Sequence, residues 1–185
     1  MGTELGSRAV DVPTLNAGRV RLEPLSLAHS VGMFELWSSP EVCAYSGDAE
    51  DWWGNPLLLP AQSRQTSDAI IDFFARHTVA GNGFRWAVVE EGAEAFVGAI
   101  GFNALGAECE LAWHQIPRFW GRGFMTEACR CGIEWARGEN AERLVAFIED
   151  ENAVSVRLAE RLGFAATDEV NDGARRFERL LAGVR

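Results

Sequence analysis

The chain has 185 residues, 48% of them hydrophobic, and 27 acidic against 17 basic side chains give a formal net charge of -10. That length and apolar content suit one domain with a sizeable core, and the negative balance argues against nucleic acid as a partner. Every basic residue is arginine and none is lysine, which removes phosphate loops ending in Gly-Lys-Ser/Thr and all Schiff-base chemistry.

In chain order, residues 1–18 mix Gly, Thr, Ser and charges without periodicity or the apolar stretch of a signal peptide, so a flexible segment and a cytoplasmic protein are expected. A single domain over 19–185 follows. Arg19–Leu25 alternates like a half-buried strand, and Ser26 starts a helical pattern through Met33, Phe34 and Trp37 that Pro40 closes. Residues 41–62 read as a loop with Trp52, Trp53 and Gly54, and Ser67–His77 as a helix, together a flap. No apolar run approaches the roughly 20 residues that span a bilayer, so no membrane partner is expected.

Phe84–Glu90, Phe96–Phe102 and Glu108–Gln115 read as a meander of three antiparallel strands. A helix then buries Met125, Ala128, Cys129, Gly132, Ile133 and Ala136 at i, i+3, i+4 spacing. Leu144–Ile148 is a continuous apolar run, as in a buried parallel strand, so 107–149 forms a strand-helix-strand crossover. Asn152 caps a last helix that leaves through Gly163, and Asp172-Gly173 marks a closing hairpin. The cysteines (43, 109, 129, 131) and the three histidines show no ligand spacing, and no metal is expected.

The most telling stretch runs from Trp113 to Ala128. A strand passes through Pro117 and the pair Gly121 and Gly123 into a helix, where glycine lets a ligand approach the backbone and the first helical N–H groups lack intrahelical partners. An anionic pyrophosphate suits such a turn.

The pattern Arg21-Leu-x-Pro-Leu25, Ser39-Pro-Glu-Val42, Phe84-Arg-Trp-Ala-Val88, Val97-Gly-x-Ile-Gly101, Trp120-Gly-Arg-Gly-Phe-Met-Thr-Glu-Ala128 and Asn152-x-x-Ser155 with Leu162-Gly-Phe164 resembles the GNAT superfamily of acyl-CoA N-acetyltransferases. Within it, the branch of ribosomal-protein N-terminal acetyltransferases is the most similar. The resemblance implies an α+β fold: a mixed, mostly antiparallel twisted sheet of six to seven strands, with a splayed parallel pair and flanking helices. It implies acetyl-CoA as co-substrate. The coenzyme motif Arg/Gln-x-x-Gly-x-Gly/Ala fits in two registers. One is the literal Arg118-Phe-Trp-Gly121-Arg-Gly123; the other, which agrees better with Pro117 and Thr126-Glu127-Ala128, starts at Trp120 and has Gly123 and Met125 in the small positions. Either way the resemblance assigns the amides around Gly121, Arg122 and Gly123, on into Phe124, Met125 and Thr126, to the pyrophosphate. Arg118 and Arg122 add charge unless they are ordinary solvated arginines.

The resemblance also implies that the thioester arm runs along Trp113, His114 and Gln115 like an added strand, so that main-chain amides polarise the carbonyl. The resemblance makes Glu110, which stands where the branch has its glutamate and shares a strand face with Glu108 and His114, the candidate base, with Glu149 second and a structural carboxylate as the alternative. Ser155, three residues after Asn152, resembles the serine offered to the coenzyme sulfur, although helix capping would also explain it. Where many members carry a tyrosine this chain has Ala159, and its sole tyrosine is Tyr45. That departure leaves a catalytically inactive coenzyme A sensor as an alternative. The flap supplies the acceptor site, and an acidic chain is expected to attract a cationic amine: a peptide N-terminus, an aminoglycoside-like molecule or a polyamine. Trp37, Trp52, Trp53 and Trp86 either line that site or pack in the core. A homodimer is compatible with all of this.

Overall fold

The computed structural model describes residues 9–181. Its main sheet is built by eight strands: β1 (Leu15–Asn16), β2 (Val20–Pro24), β5 (Phe84–Glu90), β6 (Ala95–Ala104), β7 (Glu108–Gln115), β8 (Arg143–Glu149), β10 (Ala174–Leu180) and β9 (Ala165–Asn171), in that spatial order. A small separate hairpin joins β3 (Ala49–Glu50) to β4 (Pro56–Leu57). All neighbours in the main sheet are antiparallel except β7 and β8.

Five helices flank the sheets. Helix α1 (Ser30–Trp37) and α3 (Arg64–Ala80) pack on each other and on one face, with the one-turn α2 (Pro40–Cys43) beside them. Helix α4 (Phe124–Gly138) covers the other face and α5 (Ala153–Arg161) packs on β8. The apolar stripe of α4 is buried as the spacing requires, and Gly132 brings the helix so close that an added Cβ would lie 3.3 Å from Ile100 and 3.5 Å from Trp86. Beneath it Phe84, Trp86, Phe102 and Trp135 meet largely edge to face, with centroids 4.5 to 6.3 Å apart. Buried aromatic rings of this kind contribute on the order of 1.5–3 kcal/mol each by removal from water.

Several expectations need correction. The main sheet has eight strands rather than six or seven, because the N-terminal segment adds a strand of two residues, too short to show alternation. Of the segment expected to be flexible, residues 1–8 lie outside the described residues; the rest is tied down. Val10 N donates to Thr78 O at 3.0 Å, Pro13 O accepts from Trp86 Nε1 at 2.8 Å, and Leu15 and Asn16 pair with Leu22 and Arg21. Pro40 opens a helical turn instead of only closing one, since proline fits the first helical position behind an N-cap, here Ser39. Helix α3 extends three residues beyond each end of the expected stretch, to the left-handed exit at Gly81.

The parallel pair positions the site. Only Glu108, Cys109 and Glu110 of β7 register with Arg143, Leu144 and Val145 of β8; beyond that level the two strands are unpaired. β7 remains paired with β6 up to Gln115, and β8 with β10 over its whole length, so the sheet opens between them like a V. A β-bulge between Phe102 and Ala104 of β6 sits opposite Glu110, at the level where the opening starts, and bulges increase local twist.

Candidate active site

The exposed edge of β7 has a fixed hydrogen-bond phase. Ile116 N donates to Val97 O at 3.0 Å, so by strict alternation the amides of His114 and Ala112 also face β6, while those of Trp113 and Gln115 face the opening. Trp120 Nε1 donates to Gln115 O at 2.8 Å, which confirms that this carbonyl points away from β6 and ties the following turn to the strand end.

That turn is a 3-10 segment at Pro117–Phe119 followed by two left-handed glycines, Gly121 at φ 73° and Gly123 at φ 84°. Gly123 caps α4, and Glu127 N returns to Gly123 O at 3.2 Å. The amides of Phe124, Met125 and Thr126 open the helix without intrahelical partners, at its positive dipole end. Those of Gly121 and Gly123 find no acceptor among the described residues. Arg19, just before β2, braces the turn: its Nη2 donates to Arg122 O at 2.9 Å and its Nε to Glu127 Oε1 at 2.8 Å.

The two arginines expected to add charge are each engaged elsewhere. Arg118 pairs with Glu35 of α1 at 2.9 Å and Arg122 with Glu90 at 3.2 Å, each side chain 49% exposed. Arg122 also stacks on Phe124, 4.7 Å from the ring centre. These are half-solvated, exchangeable pairs worth little. An arginine that sequence reasoning did not single out, Arg161 of α5, reaches the start of α4 instead: its Nη1 lies 3.5 Å from Thr126 Oγ1. Its helical spacing gave no signal, because the contact depends on how α5 crosses α4.

On the far side of the opening, Asn152 caps α5 by accepting from Ser155 N at 3.2 Å. Ser155 Oγ lies 3.3 Å from Trp113 Nε1. An indole N–H can only donate, so the serine oxygen accepts and its own hydroxyl proton is left for whatever occupies the opening. Ala159, at the position where a tyrosine was looked for, is fully buried, whereas Tyr45 lines the cavity from the flap.

The opening and the flap enclose one cavity of about 1270 Å³. Trp113, Gln115, Trp120, Met125, Asn152 and Ser155 line it along the opening. Glu110, His114, Arg85, Asn103, Trp37 and Phe74 line it beneath the flap helices. Of the residues expected to hold the coenzyme, Arg118, Gly121, Arg122 and Gly123 do not line it, nor do the buried Phe124 and Thr126. Glu110 and His114 do share a face, but Glu108 is drawn off to Arg176, 2.6 Å away, which holds its carboxyl below the ordinary range.

A polar chain runs across the flap-side floor: Arg85 Nη2 donates to Asn103 Oδ1, and Asn103 Nδ2 donates to Glu110 Oε1. The Arg85 guanidinium is stacked on Phe74 at 4.0 Å. Burial lowers it to about 9, which still leaves it charged at neutral pH. His114, with its ring 4.7 Å from that of Trp37, is pushed down to about 3 by burial and secondarily by the Arg85 charge, so it stays neutral. Trp86 proves to be core and Trp52 packs on Phe73 and His77. Trp53 is 69% exposed beside Arg76, so of the four tryptophans Trp37 alone lines the cavity. Among the described residues, no three His, Cys, Asp or Glu side chains converge as metal ligands, and no helix is long and apolar enough to cross a membrane.

Known proteins resemble this chain in sequence and in fold. An N-acetyltransferase of Bacillus licheniformis, p20, itself uncharacterized, is 26% identical over 172 residues, 91% of either chain. Among solved structures, a ribosomal-protein-serine acetyltransferase from Vibrio cholerae, so named provisionally, aligns at 16% identity over 91% of this chain and 97% of its own, with a TM-score of 0.73. RimL, a ribosomal L7/L12 alpha-N-protein acetyltransferase in complex with coenzyme A, aligns at 14% identity over 91% and 98%, also at 0.73. At those identities the two structures speak for the fold alone. The acetyltransferase (GNAT) domain profile matches residues 19–165, which takes in the splayed strands, the glycine turn and α5. The chain therefore belongs to the GNAT family of acetyltransferases, enzymes that transfer an acetyl group from acetyl-CoA.

Proposed function

We propose that this protein transfers the acetyl group of acetyl-CoA to a primary amine by direct attack within a ternary complex. One observation carries the reading: the amides of Trp113 and Gln115 face an open V, beside which the amides of Gly121, Gly123 and the first helical residues 124–126 are unpaired. A pyrophosphate fits those helix-start donors, and a pantetheine arm, which carries two amides, fits an unpaired strand edge.

The chemistry asks four things of the protein. The cavity wall carries Glu41, Glu50, Glu110 and Glu149, which attract an ammonium group. Glu110, with one oxygen held by Asn103, accepts the ammonium proton directly or through water and releases the nucleophilic amine. As the C–N bond forms, negative charge grows on the thioester oxygen, and a backbone donor such as Trp113 N–H stabilises it, an interaction whose loss typically costs about 2.7–4 kcal/mol of barrier. As the C–S bond breaks, the electron pair goes to sulfur, where the free Ser155 hydroxyl supplies a proton or a hydrogen bond. His114, neutral with its pKa near 3, is too weak a base for the proton transfer.

Thiol release measured with acetyl-CoA over peptides, amino acids, polyamines and aminoglycosides tests this. At least one amine class is expected to release thiol, and Glu110→Gln is expected to lower kcat/KM by roughly 10²–10⁴. An unchanged pH profile in Glu110→Gln removes Glu110 from the mechanism. Tight coenzyme binding with silence for every amine refutes transfer itself.

A further inference from the structure

The acceptor half of the cavity holds one charge of the wrong sign for a simple polyamine. Arg85 is 6% exposed, lines the cavity, and sits between β6 and the ring of Phe74. Its hydrogen-bond partners are both neutral: Phe84 O at 3.1 Å and the Asn103 side-chain oxygen. A guanidinium carries five N–H donors and normally enters a protein interior opposite a carboxylate, because an unpaired buried charge is costly. Here a carboxylate, that of Glu110, is reached only through Asn103 in the hydrogen-bonded series. Burial outweighs the Glu110 attraction, which is why Arg85 titrates below its ordinary range rather than above it, in contrast to Arg176 beside Glu108.

The planar stack on Phe74 fixes the guanidinium, and the bonds to Phe84 O and Asn103 occupy part of its fork. Such a rigid fork matches a carboxylate in the plane of the remaining donors. On the reading that this cavity is the acceptor site, we propose that Arg85 anchors a carboxylate of the acceptor, so that the amine acetylated is that of an amino acid or of a peptide whose first residue is acidic. The acidic wall and Arg85 then divide the work: Glu110 and its neighbours hold the ammonium end, and Arg85 the carboxylate end of a zwitterion. A polyamine or an aminoglycoside leaves Arg85 uncompensated and places further cations beside it.

Matched acceptors test the assignment by thiol release: free amino acids against their α-amides, and peptides beginning with Asp or Glu against those beginning with Asn or Gln. The acid form is expected to exceed its amide at least tenfold in kcat/KM, in the amino-acid pair if the carboxylate is the α-carboxyl and in the peptide pair if it is the side chain. Arg85→Gln should bring that ratio close to one whatever its absolute rate, and Arg85→Lys should restore part of it. A ratio near one in the wild type, or an unaltered ratio in Arg85→Gln, overturns the anchor while leaving acetyl transfer to amines standing. Calorimetry with coenzyme A present and N-acetyl amino acids as titrant reads the anchor without turnover. At least tenfold weaker binding to Arg85→Gln than to wild type supports it, and equal binding overturns it even where no amine reacts. Coenzyme A affinity of Arg85→Gln, measured in the same cell, reports that the variant is folded.

Discussion

Gly123 offers a perturbation whose cost can be worked from one distance and one angle. It caps α4 at φ 84°, where any side chain but glycine, and to a lesser degree asparagine, is strained; an alanine there costs on the order of 1–2 kcal/mol. Its Cβ would also stand 3.1 Å from Arg19 Nη2. That neighbour is the far end of a flexible, half-exposed side chain, so it can yield, and yielding weakens a bridge to Glu127 worth at most about 1 kcal/mol. Gly123→Ala is therefore expected to lose about 1–3 kcal/mol, which for a chain of this size lowers Tm by roughly 2–12 °C. Gly121→Ala meets nothing within 4 Å at φ 73°, so it carries the strain alone and should fall at the lower end of that range. Gly123→Asn should recover part of the loss, because asparagine tolerates the left-handed region. Scanning calorimetry of the three variants checks the order. A Gly123→Ala protein as stable as wild type, or an asparagine variant less stable than the alanine one, refutes the conformational argument.

Gly98→Ala would place a methyl carbon 2.2 Å from His114 O, where backbone must move; a loss of about 1–3 kcal/mol by urea denaturation is expected, with weakened coenzyme A binding by calorimetry, and intact affinity would contradict the role given to the β7 edge. Because His114 is held near 3 in the fold while an unfolded histidine takes up a proton near 6.5, its contribution is fully present above that pH and declines as the pH falls below it, by up to about 1.4 kcal/mol per unit. His114→Gln should flatten the stability profile between pH 6.5 and 5 in urea titrations, and an equal slope in both proteins disproves the assignment. Ser155→Ala should lower kcat by about tenfold or more and leave KM for acetyl-CoA nearly constant; a change confined to KM would make Ser155 a binding group only.

How much of this was legible beforehand depended on whether the signal was local. The strands Phe84–Glu90 and Glu108–Gln115 and the stripe of α4 were readable to the residue, because alternation and helical periodicity are written in adjacent positions. The turn with Gly121 and Gly123 was legible for the same reason. Strand β1 escaped, since two residues carry no period and its anchoring bonds reach Thr78 and Trp86, far along the chain. Arg118 and Arg122 were read as charge for a ligand, yet their partners Glu35 and Glu90 are 83 and 32 residues away. The floor of the acceptor cavity was invisible for that reason too: Arg85 looks like an outward residue of a strand, and only the pairing of β5 with β6 and of β6 with β7 brings it to Asn103 and Glu110.

The V between β7 and β8 has one more consequence, concerning solvent. Main-chain groups of Trp113 and Gln115 that lack a protein partner must be hydrated whenever the cleft is empty, while the intervening His114 amide is sequestered against β6. Along a single strand, deuterium uptake would then alternate between quick and slow sites, and an incoming ligand would have to displace a short file of bound water before it could erase that alternation.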